Sequence, residues 1–246
     1  MATVAEVVSD LGHGPIAVLL HGVGFGPETL DAVAATVAEE ARAVVVRRPA
    51  PATGLSLRHQ AAAVAAAVER HTGGEGYVVA GVSGGATLAV ALAAATDAPL
   101  LGVVAHEPLV GRHAPALWEA VHAAHDALAR GDATPDDWFR GLIGPAAWGV
   151  LDPASRDAAL ASHPDLLAEI TPFVSWDPTA DQLGTARRCP LVTSVGSDSG
   201  PARHEAAAAL ATLAGARVVD LAGGHLVQFD DPGTFAGLVA RSLEAP

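Results

Sequence analysis

The stretch that decides the fold is residues 77–95, YVVAGVSGGATLAVALAAA. It begins with six mostly apolar residues, which predict a buried strand over 77–82. It ends with an alanine-rich run that predicts a helix over 84–95. Ser83 lies at the turn between them, in the pattern Gly81-Val82-Ser83-Gly84-Gly85. A serine in such a turn projects its hydroxyl above the edge of the sheet, and crowding at the turn demands glycine two residues away on either side.

The rest of the chain alternates short apolar runs with longer helical runs. The apolar runs predict strands at 16–21, 43–47, 77–82, 100–105, 191–196 and 216–221. The helical patterns predict helices at 29–42, 57–70, 84–95, 201–214 and 232–243. This alternation requires right-handed crossovers between neighbouring strands. We therefore expect an α/β fold with a doubly wound, mostly parallel sheet.

Residues 107–185 break this alternation, because they contain no clear strand and many prolines. All four tryptophans of the chain fall in this segment. We predict that it forms a helical lid, inserted into a core made of residues 1–106 and 186–246. An aromatic lid and an aromatic loop residue after the first predicted strand favour a substrate pocket between them. The predicted substrate-binding residues are Phe25, Trp118, Trp138, Trp148 and Trp176.

Composition narrows the range of partners. The 246 residues carry a formal net charge of −13, which disfavours binding to nucleic acids and to anionic membranes. All 14 basic residues are arginine, which excludes Schiff-base chemistry and a Ser–Lys dyad. The N-terminal residues do not resemble a signal peptide, and the single cysteine, Cys189, fits a reducing compartment. We expect a cytoplasmic protein that binds a small-molecule acyl substrate, and homo-oligomer formation stays an open alternative.

A serine hydroxyl becomes a good nucleophile only when a base takes its proton. His225 follows the strand predicted at 216–221, and the flexible Gly223-Gly224 before it lets a histidine reach Ser83. Asp198 follows the strand predicted at 191–196, where a carboxylate can orient the imidazole. We predict Ser83, Asp198 and His225 as the catalytic residues. Glu107, at the end of the strand predicted at 100–105, is the alternative acid.

The same chemistry needs two backbone N–H groups for the developing oxyanion. Gly84 directly follows Ser83 and opens a helix, whose first N–H groups have no partner within the helix. The glycine-rich loop after the first predicted strand, residues 21–26, can supply the second N–H group. We predict Val23 and Gly84 as the oxyanion hole.

These residues together resemble the α/β-hydrolase family over nearly the whole chain. The resemblance rests on the His21-Gly22 loop, Arg48-Pro49, the Ser83 turn, His106-Glu107-Pro108, and the loops that carry Asp198 and His225. It implies an eight-stranded, mostly parallel sheet, an inserted lid, a Ser–Asp–His triad and no cofactor. Many members of the family carry a polar residue where this chain has Val82 and a larger side chain where it has Gly84, so the substrate is left open.

The expected reaction is cleavage of an ester, lactone or thioester of a mostly apolar small molecule through an acyl-enzyme on Ser83. The alternatives are use of the same triad for carbon–carbon bond hydrolysis, perhydrolysis or a lyase reaction, and a binding module without catalysis. We expect no metal, because Glu119 and His122 have ligand spacing on a helix but a carboxylate-bridged site would need a second such motif. A dinucleotide site is disfavoured because Pro27 stands where the third glycine is required.

Overall fold

The computed structural model describes residues 4–51, 54–144, 148–149, 151–161 and 163–244. Within them, seven strands form one sheet. The strands are β1 (Glu6–Gly12), β2 (Ile16–Leu20), β3 (Arg42–Arg47), β4 (Tyr77–Val82), β5 (Leu100–His106), β6 (Leu191–Gly196) and β7 (Arg217–Leu221). All six predicted strands are present, so the predicted alternation is confirmed.

Eleven α-helices accompany the sheet in the described part of the chain. They are α1 (Asp31–Val37), α2 (Leu57–Thr72), α3 (Gly84–Ala95), α4 (Pro115–Arg130), α5 (Pro135–Ile143), α6 (Pro153–Ala161), α7 (His163–Val174), α8 (Ala180–Thr185), α9 (Pro201–Ala214), α10 (Val227–Asp230) and α11 (Pro232–Leu243). Helices α4 to α8 all fall between β5 and β6, in the segment that we propose to be a lid.

The strand order is β1-β3-β2-β4-β5-β6-β7, and every neighbouring pair except β1 with β3 is parallel. The chain moves from β2 to β3 on one side and then returns to β4 on the other side of β2. In such doubly wound sheets, the crevice for a ligand opens where the order reverses, at the carboxyl ends of the strands. Here that point is the end of β2 and β4, and Ser83 directly follows β4.

Helices cover both faces of the sheet, so strands β2, β4 and β6 are buried throughout. Alternate residues of each strand belong to two separate cores: Val18 lies in one and Leu19 in the other. Helices α1 and α11 pack on the face that includes Leu19, whereas α2, α3 and α9 pack on the other face. This burial on both faces explains why the strands read as unbroken apolar runs.

Three details differ from the sequence-based expectations. The eight-stranded sheet is wrong for the described residues, which hold seven strands with β1 as the single antiparallel edge strand. Strand β1 gives no apolar run in the sequence, because it mixes polar with apolar residues and most of it is exposed. The helix expected over 29–42 is too long, because α1 ends at Val37. Arg42 already belongs to β3, where it pairs with Ile16 of β2. Parallel pairing with β2 overrides the local helical pattern there.

The hydrophobic character of the helices agrees with their packing inside a folded domain. In the described parts of the chain, none of the helices combines the length and the apolar composition needed to cross a bilayer.

Candidate active site

Ser83 sits in a strained turn that only its surroundings maintain. Its backbone has φ 56° and ψ −118°, a left-handed φ that costs a non-glycine residue on the order of 1–3 kcal/mol. Its N–H donates to the carbonyl of His106 over 2.8 Å, which ties the turn to β5. A Cβ at Gly81 would lie 2.3 Å from the carbonyl carbon of Gly85, and one at Gly85 would lie 2.1 Å from the carbonyl oxygen of Leu20. The turn therefore requires both flanking glycines, as predicted.

His225 lies within hydrogen-bond reach of Ser83, as the sequence predicts. Its Nε2 is 2.9 Å from the Ser83 Oγ, and the imidazole is 6% exposed. It is carried by the loop after β7, which brings it across from the far end of the chain. The pair has the distance that transfer of a proton from a serine to a base requires.

The partner of His225 on its other side is Glu107, 2.7 Å from Nδ1. The predicted choice of Asp198 is therefore wrong in this structure, and the alternative acid occupies the position. Because a carboxylate with a low pKa can only accept, Nδ1 carries the proton and donates it to Glu107. The Nε2 atom is then free to accept the hydrogen of the Ser83 hydroxyl.

Asp198 fails as the acid because its loop turns it toward solvent. Its side chain is exposed, and its backbone N–H donates to the carbonyl of Gly223 over 2.9 Å. The same loop nevertheless supports Glu107. The N–H of Gly196 donates to its Oε1 over 2.8 Å, and the hydroxyl of Ser199 donates to the same oxygen.

The backbone at Glu107 is strained in the same way as at Ser83. Among the non-glycine residues that the structure describes, only these two have a positive φ, and that of Glu107 is 52°. Its N–H donates to the carbonyl of Ser194 over 3.0 Å, so the pairing of β5 with β6 holds the conformation. Strain of this kind clusters at functional sites, which independently marks Glu107 and Ser83 as a pair.

Electrostatics favour an ionised Glu107 and a neutral His225. Burial alone would raise the pKa of Glu107, but the hydrogen bond with His225 and the charge of Arg203 together hold it below its usual range. Burial, reinforced by the nearby guanidinium of Arg203, lowers the pKa of His225. At neutral pH the imidazole is therefore in the form that can take a proton.

Arg203 is a buried cation beside this pair, and no pattern in the sequence predicts its place there. Its Nε lies 3.5 Å from Oε2 of Glu107, and its Nη2 lies 3.5 Å from Nε2 of His225. The Nη2 group also donates to the carbonyl of Leu142 over 3.1 Å. The guanidinium thus offsets the buried charge of Glu107 and connects the site to α5.

His106 is a second supporting residue that sequence reasoning did not assign. It is fully buried, and burial lowers its pKa to about 4, so it is neutral. Its Nε2 donates to the carbonyl of Gly224 over 3.1 Å, which fixes the residue before His225. Its Nδ1 accepts a hydrogen bond from the hydroxyl of Ser194 over 3.0 Å. Its position directly before Glu107 was the only available signal.

The two predicted oxyanion donors lie next to each other beside Ser83. A Cβ built on Gly84 would come within 3.1 Å of the backbone nitrogen of Val23. The N–H of Gly84 is the first of α3, and the N–H of Val23 makes no hydrogen bond within the described residues. The space beside Gly84 is not open, because the side chains of Val23 and Phe173 fill it. Their assignment as oxyanion donors stays a prediction.

A small apolar cavity of about 50 Å³ opens onto Ser83. Its walls include the predicted residues Phe25 and Trp138, together with Phe139, Ile170 and Phe173. A wider depression of about 630 Å³ shares only four lining residues with the cavity: Leu142, Ile143, Arg203 and His225. The two spaces therefore meet at the imidazole.

Three of the four predicted tryptophans do not line the cavity at Ser83. Trp148 is fully buried and stacks behind Phe139, with ring centroids 4.7 Å apart. Trp118 packs on its own helix against His122, 3.9 Å between centroids, and Trp176 packs at the edge of the core. The expectation that Trp118, Trp148 and Trp176 bind substrate is wrong for this conformation, since none of the three lines the cavity at Ser83.

The histidines of α4 that have ligand spacing bind other groups. His122 contacts the carbonyl of Trp118 through Nδ1 at 2.9 Å, and His125 contacts Asp126 and Thr171. Across the described ranges, three or more His, Cys, Asp or Glu side chains nowhere converge in a way that would hold a metal ion.

Comparisons with known proteins give structural neighbours and no sequence relatives. No family model matches the chain, and no curated protein matches its sequence. An esterase from Thermogutta terrifontis superposes with a TM-score of 0.77 at 18% identity, covering 99% of this chain and 97% of that one. MenH from S. aureus gives 0.78 at 12% identity, covering 98% of each chain. An enol-lactonase from Burkholderia xenovorans gives 0.70 at 17% identity, covering 96% of this chain and 95% of that one.

At these identities the likeness speaks for the fold alone. It extends over nearly the full length of each chain, including the helices between β5 and β6. The mostly parallel sheet and the sharp strand-to-helix turn at Ser83 are features of the same fold. The protein therefore has the α/β-hydrolase fold.

Proposed function

We propose that the protein is a serine hydrolase that cleaves a carboxylic ester, lactone or thioester through an acyl-enzyme on Ser83. The observation that carries this proposal is the hydrogen-bonded chain from Ser83 through His225 to Glu107, at the mouth of an apolar cavity. Nucleophile, base and orienting acid in this geometry define nucleophilic catalysis of acyl transfer on several unrelated folds. Neighbours named as an esterase and an enol-lactonase support the same class of reaction.

The reaction proceeds in two halves. Ser83 Oγ attacks the carbonyl carbon while Nε2 of His225 takes its proton, and the ionised Glu107 stabilises the imidazolium. The carbonyl oxygen becomes an oxyanion that accepts from the N–H groups of Val23 and Gly84. His225 then gives the proton to the leaving oxygen or sulfur, and the carbonyl–leaving-group bond breaks. A water molecule, deprotonated by His225, attacks the acyl-enzyme, and the acid is released as Ser83 regains its proton.

The two spaces at the site accommodate the two halves of the substrate. The acyl group belongs in the small apolar cavity, because only this one of the two spaces is lined by Val23, Ser83 and Gly84. The leaving group must lie next to Nε2 of His225 to receive its proton, and His225 borders the wider depression. The substrate class is therefore a small apolar acyl group joined to a larger leaving group that extends toward solvent.

The first test is covalent labelling with a fluorophosphonate, read as intact-protein mass. We expect one adduct on the wild-type protein and none on Ser83→Ala, because the reagent traps a serine that a base activates. Ser197→Ala is the matched control, since it removes an exposed hydroxyl on the loop after β6 that does not contact Glu107 or His225, and it should still label. An equal adduct on Ser83→Ala, or none on the wild type, would contradict the proposal.

The length of the acyl chain is the second test, measured with p-nitrophenyl esters. An apolar cavity of about 150 Å³ takes a benzene molecule. A cavity of about 50 Å³ therefore fits only a short acyl chain. We expect acetate and propionate esters to be turned over at least about tenfold faster than octanoate, with a smaller difference in Trp138→Leu, which enlarges the cavity.

Trp118→Leu is the control for this test, because Trp118 belongs to the same helical segment but does not line the cavity. Its acyl preference should match that of the wild type. If Trp118→Leu changes chain-length preference as much as Trp138→Leu, the assignment of the acyl cavity is wrong. Labelling of Ser83 without turnover of any ester would instead favour one of the alternative reactions of the same triad.

A further inference from the structure

Arg48 holds the backbone of the loop that carries Val23. It follows β3, is 5% exposed, and reaches across the end of β2. Its Nε donates to the carbonyl of His21 over 3.2 Å, and its Nη2 donates to the carbonyl of Gly22 over 2.8 Å. Both carbonyls lie directly before Val23 in the chain. The guanidinium therefore fixes the approach of the loop to the predicted oxyanion position.

Glu169 completes this arrangement from the other side of Val23. It lies on α7, in the helical segment between β5 and β6, and accepts the N–H of Gly24 over 3.1 Å. Its other oxygen accepts from Nη2 of Arg48, and both side chains are largely buried. One carboxylate thus binds both the guanidinium and the residue after Val23. The peptide groups on either side of Val23 are held by an ion pair between the sheet and α7.

Glu169 is the counter-ion of Arg48, because the imidazole beside the guanidinium carries no charge. His21 is buried next to the guanidinium, and burial together with that charge lowers its pKa to about 3, so it is neutral. Among the described residues, Arg48 forms an ion pair with no carboxylate other than Glu169. Removing one partner of a buried pair leaves an uncompensated charge, so both partners should matter for the loop.

The same helix also reaches the nucleophile. Phe173, one turn after Glu169, lies under the guanidinium of Arg48 at 5.3 Å and lines the cavity at Ser83. Its Cε1 would be 3.4 Å from a Cβ at Gly84. The position of α7 is therefore coupled to both predicted oxyanion donors.

We propose that Arg48 and Glu169 are positioning residues that set the oxyanion hole, so that the N–H of Val23 is aimed correctly only while α7 is docked. The proposal rests on the proposed function, because an oxyanion must form at Ser83 for the hole to act. Neither residue touches the reacting atoms. Replacing either residue should therefore weaken the stabilisation of the transition state and change the affinity for substrate only slightly.

The kinetic test compares Glu169→Gln, Glu169→Ala and Arg48→Met with two matched controls. Asp165→Asn removes an exposed carboxylate of the same helix, and Arg47→Met removes the neighbouring exposed arginine. We expect kcat to fall about tenfold in Glu169→Gln, which can still accept from Gly24, and about 100-fold in Glu169→Ala and Arg48→Met. KM should stay within about threefold, and both controls should match the wild type.

A trifluoromethyl ketone distinguishes positioning from a general structural defect. It forms an oxyanion on Ser83, so its affinity should fall across the variants in proportion to kcat/KM. A fall in kcat without loss of this affinity would overturn the proposal, as would a kcat in Glu169→Ala within twofold of that in Asp165→Asn. Thermal unfolding identifies any variant that does not fold, and Glu169→Gln, the mildest change, then decides the question.

Hydrogen exchange separates a failure of this inference from a failure of the proposed function. The amides of residues 21–24 should exchange at least about tenfold faster in Glu169→Ala than in Asp165→Asn. Unchanged exchange would refute the role of the ion pair whatever the activity. A wild-type protein that forms no Ser83 adduct would refute the proposed function instead, and the exchange rates alone would then decide whether the pair holds the loop.

Discussion

Replacing Glu107 with glutamine should lower kcat by about four orders of magnitude, whereas Asp198→Asn should stay within about threefold of the wild type. Glutamine keeps the shape of the side chain but removes the charge that stabilises the imidazolium. Its amide can also donate to Nδ1, which would favour the tautomer of His225 that cannot accept from Ser83. Asp198 is exposed and its carboxylate does not contact His225, so its charge should contribute little to stabilising the imidazolium.

The measurement is turnover of a short p-nitrophenyl ester by both variants, with thermal unfolding beside it. The unfolding measurement shows whether the variant is still folded, because Glu107→Gln leaves the guanidinium of Arg203 without its nearest counter-ion. A folded Glu107→Gln protein with nearly full activity would show that the acid lies elsewhere. A large loss in Asp198→Asn together with a small one in Glu107→Gln would restore the original sequence-based assignment.

Gly84→Ala should lower kcat about 100-fold while the protein still folds. The backbone of Gly84 has an ordinary negative φ, so alanine is tolerated there. Its Cβ, however, would lie 2.6 Å from Cγ2 of Val23 and must push that residue away. Because the N–H of Val23 is the second predicted oxyanion donor, displacing it should remove about as much stabilisation as loss of one donor.

The double variant Val23→Ala/Gly84→Ala tests this explanation. Val23→Ala removes the Cγ2 atom that clashes but keeps the backbone N–H group. We expect it to recover at least tenfold of the activity lost in Gly84→Ala, measured as kcat in a double-mutant cycle. Additive losses in the double variant would argue against displacement of Val23. The control is Gly184→Ala, because a Cβ at Gly184 would meet open space. Gly131→Ala is unsuitable as a control, because the φ of Gly131 is positive and alanine would be strained there.

The sequence predicted the sheet well because its central strands are covered on both faces. Apolar runs such as 16–20 and 77–82 carry that information locally, without reference to their neighbours. Edge strand β1 lacks this signal, because it is mostly exposed and mixes polar with apolar residues. The end of α1 also depends on the pairing of Arg42 with Ile16, which no local pattern reveals.

The positions of Ser83 and His225 were predictable for a similar reason. Ser83 can be recognised from the five-residue pattern 81–85, because its turn requires glycine on both sides. His225 can be recognised from the glycines directly before it. The carboxylate that contacts His225 was not predictable. Glu107 and Asp198 follow strands β5 and β6, which are parallel neighbours and end at the same edge of the sheet. The left-handed backbone at Glu107 decides which carboxylate turns inward, and it is maintained by a hydrogen bond to Ser194 on the other strand.

The lining of the cavity was the least predictable part. Whether a tryptophan faces substrate or supports another ring depends on how the helices between β5 and β6 pack against each other. Trp148 and Trp138 lie ten residues apart and both contact Phe139, but only Trp138 reaches the cavity. The ion pair between Arg48 and Glu169 likewise joins residues 121 positions apart, beyond the reach of any sequence pattern.

The supply of the acid by β5 has a consequence for how this protein can diversify. Ser197 and Asp198 form the exposed tip of the loop after β6, and Asp198 borders the wider depression without orienting the imidazole. Under the proposed function, mutations at Asp198 should alter which leaving groups are accepted, while proton transfer through His225 and Glu107 keeps its rate. Directed evolution of leaving-group selectivity would then start at Asp198, which is separate from the proposed catalytic residues.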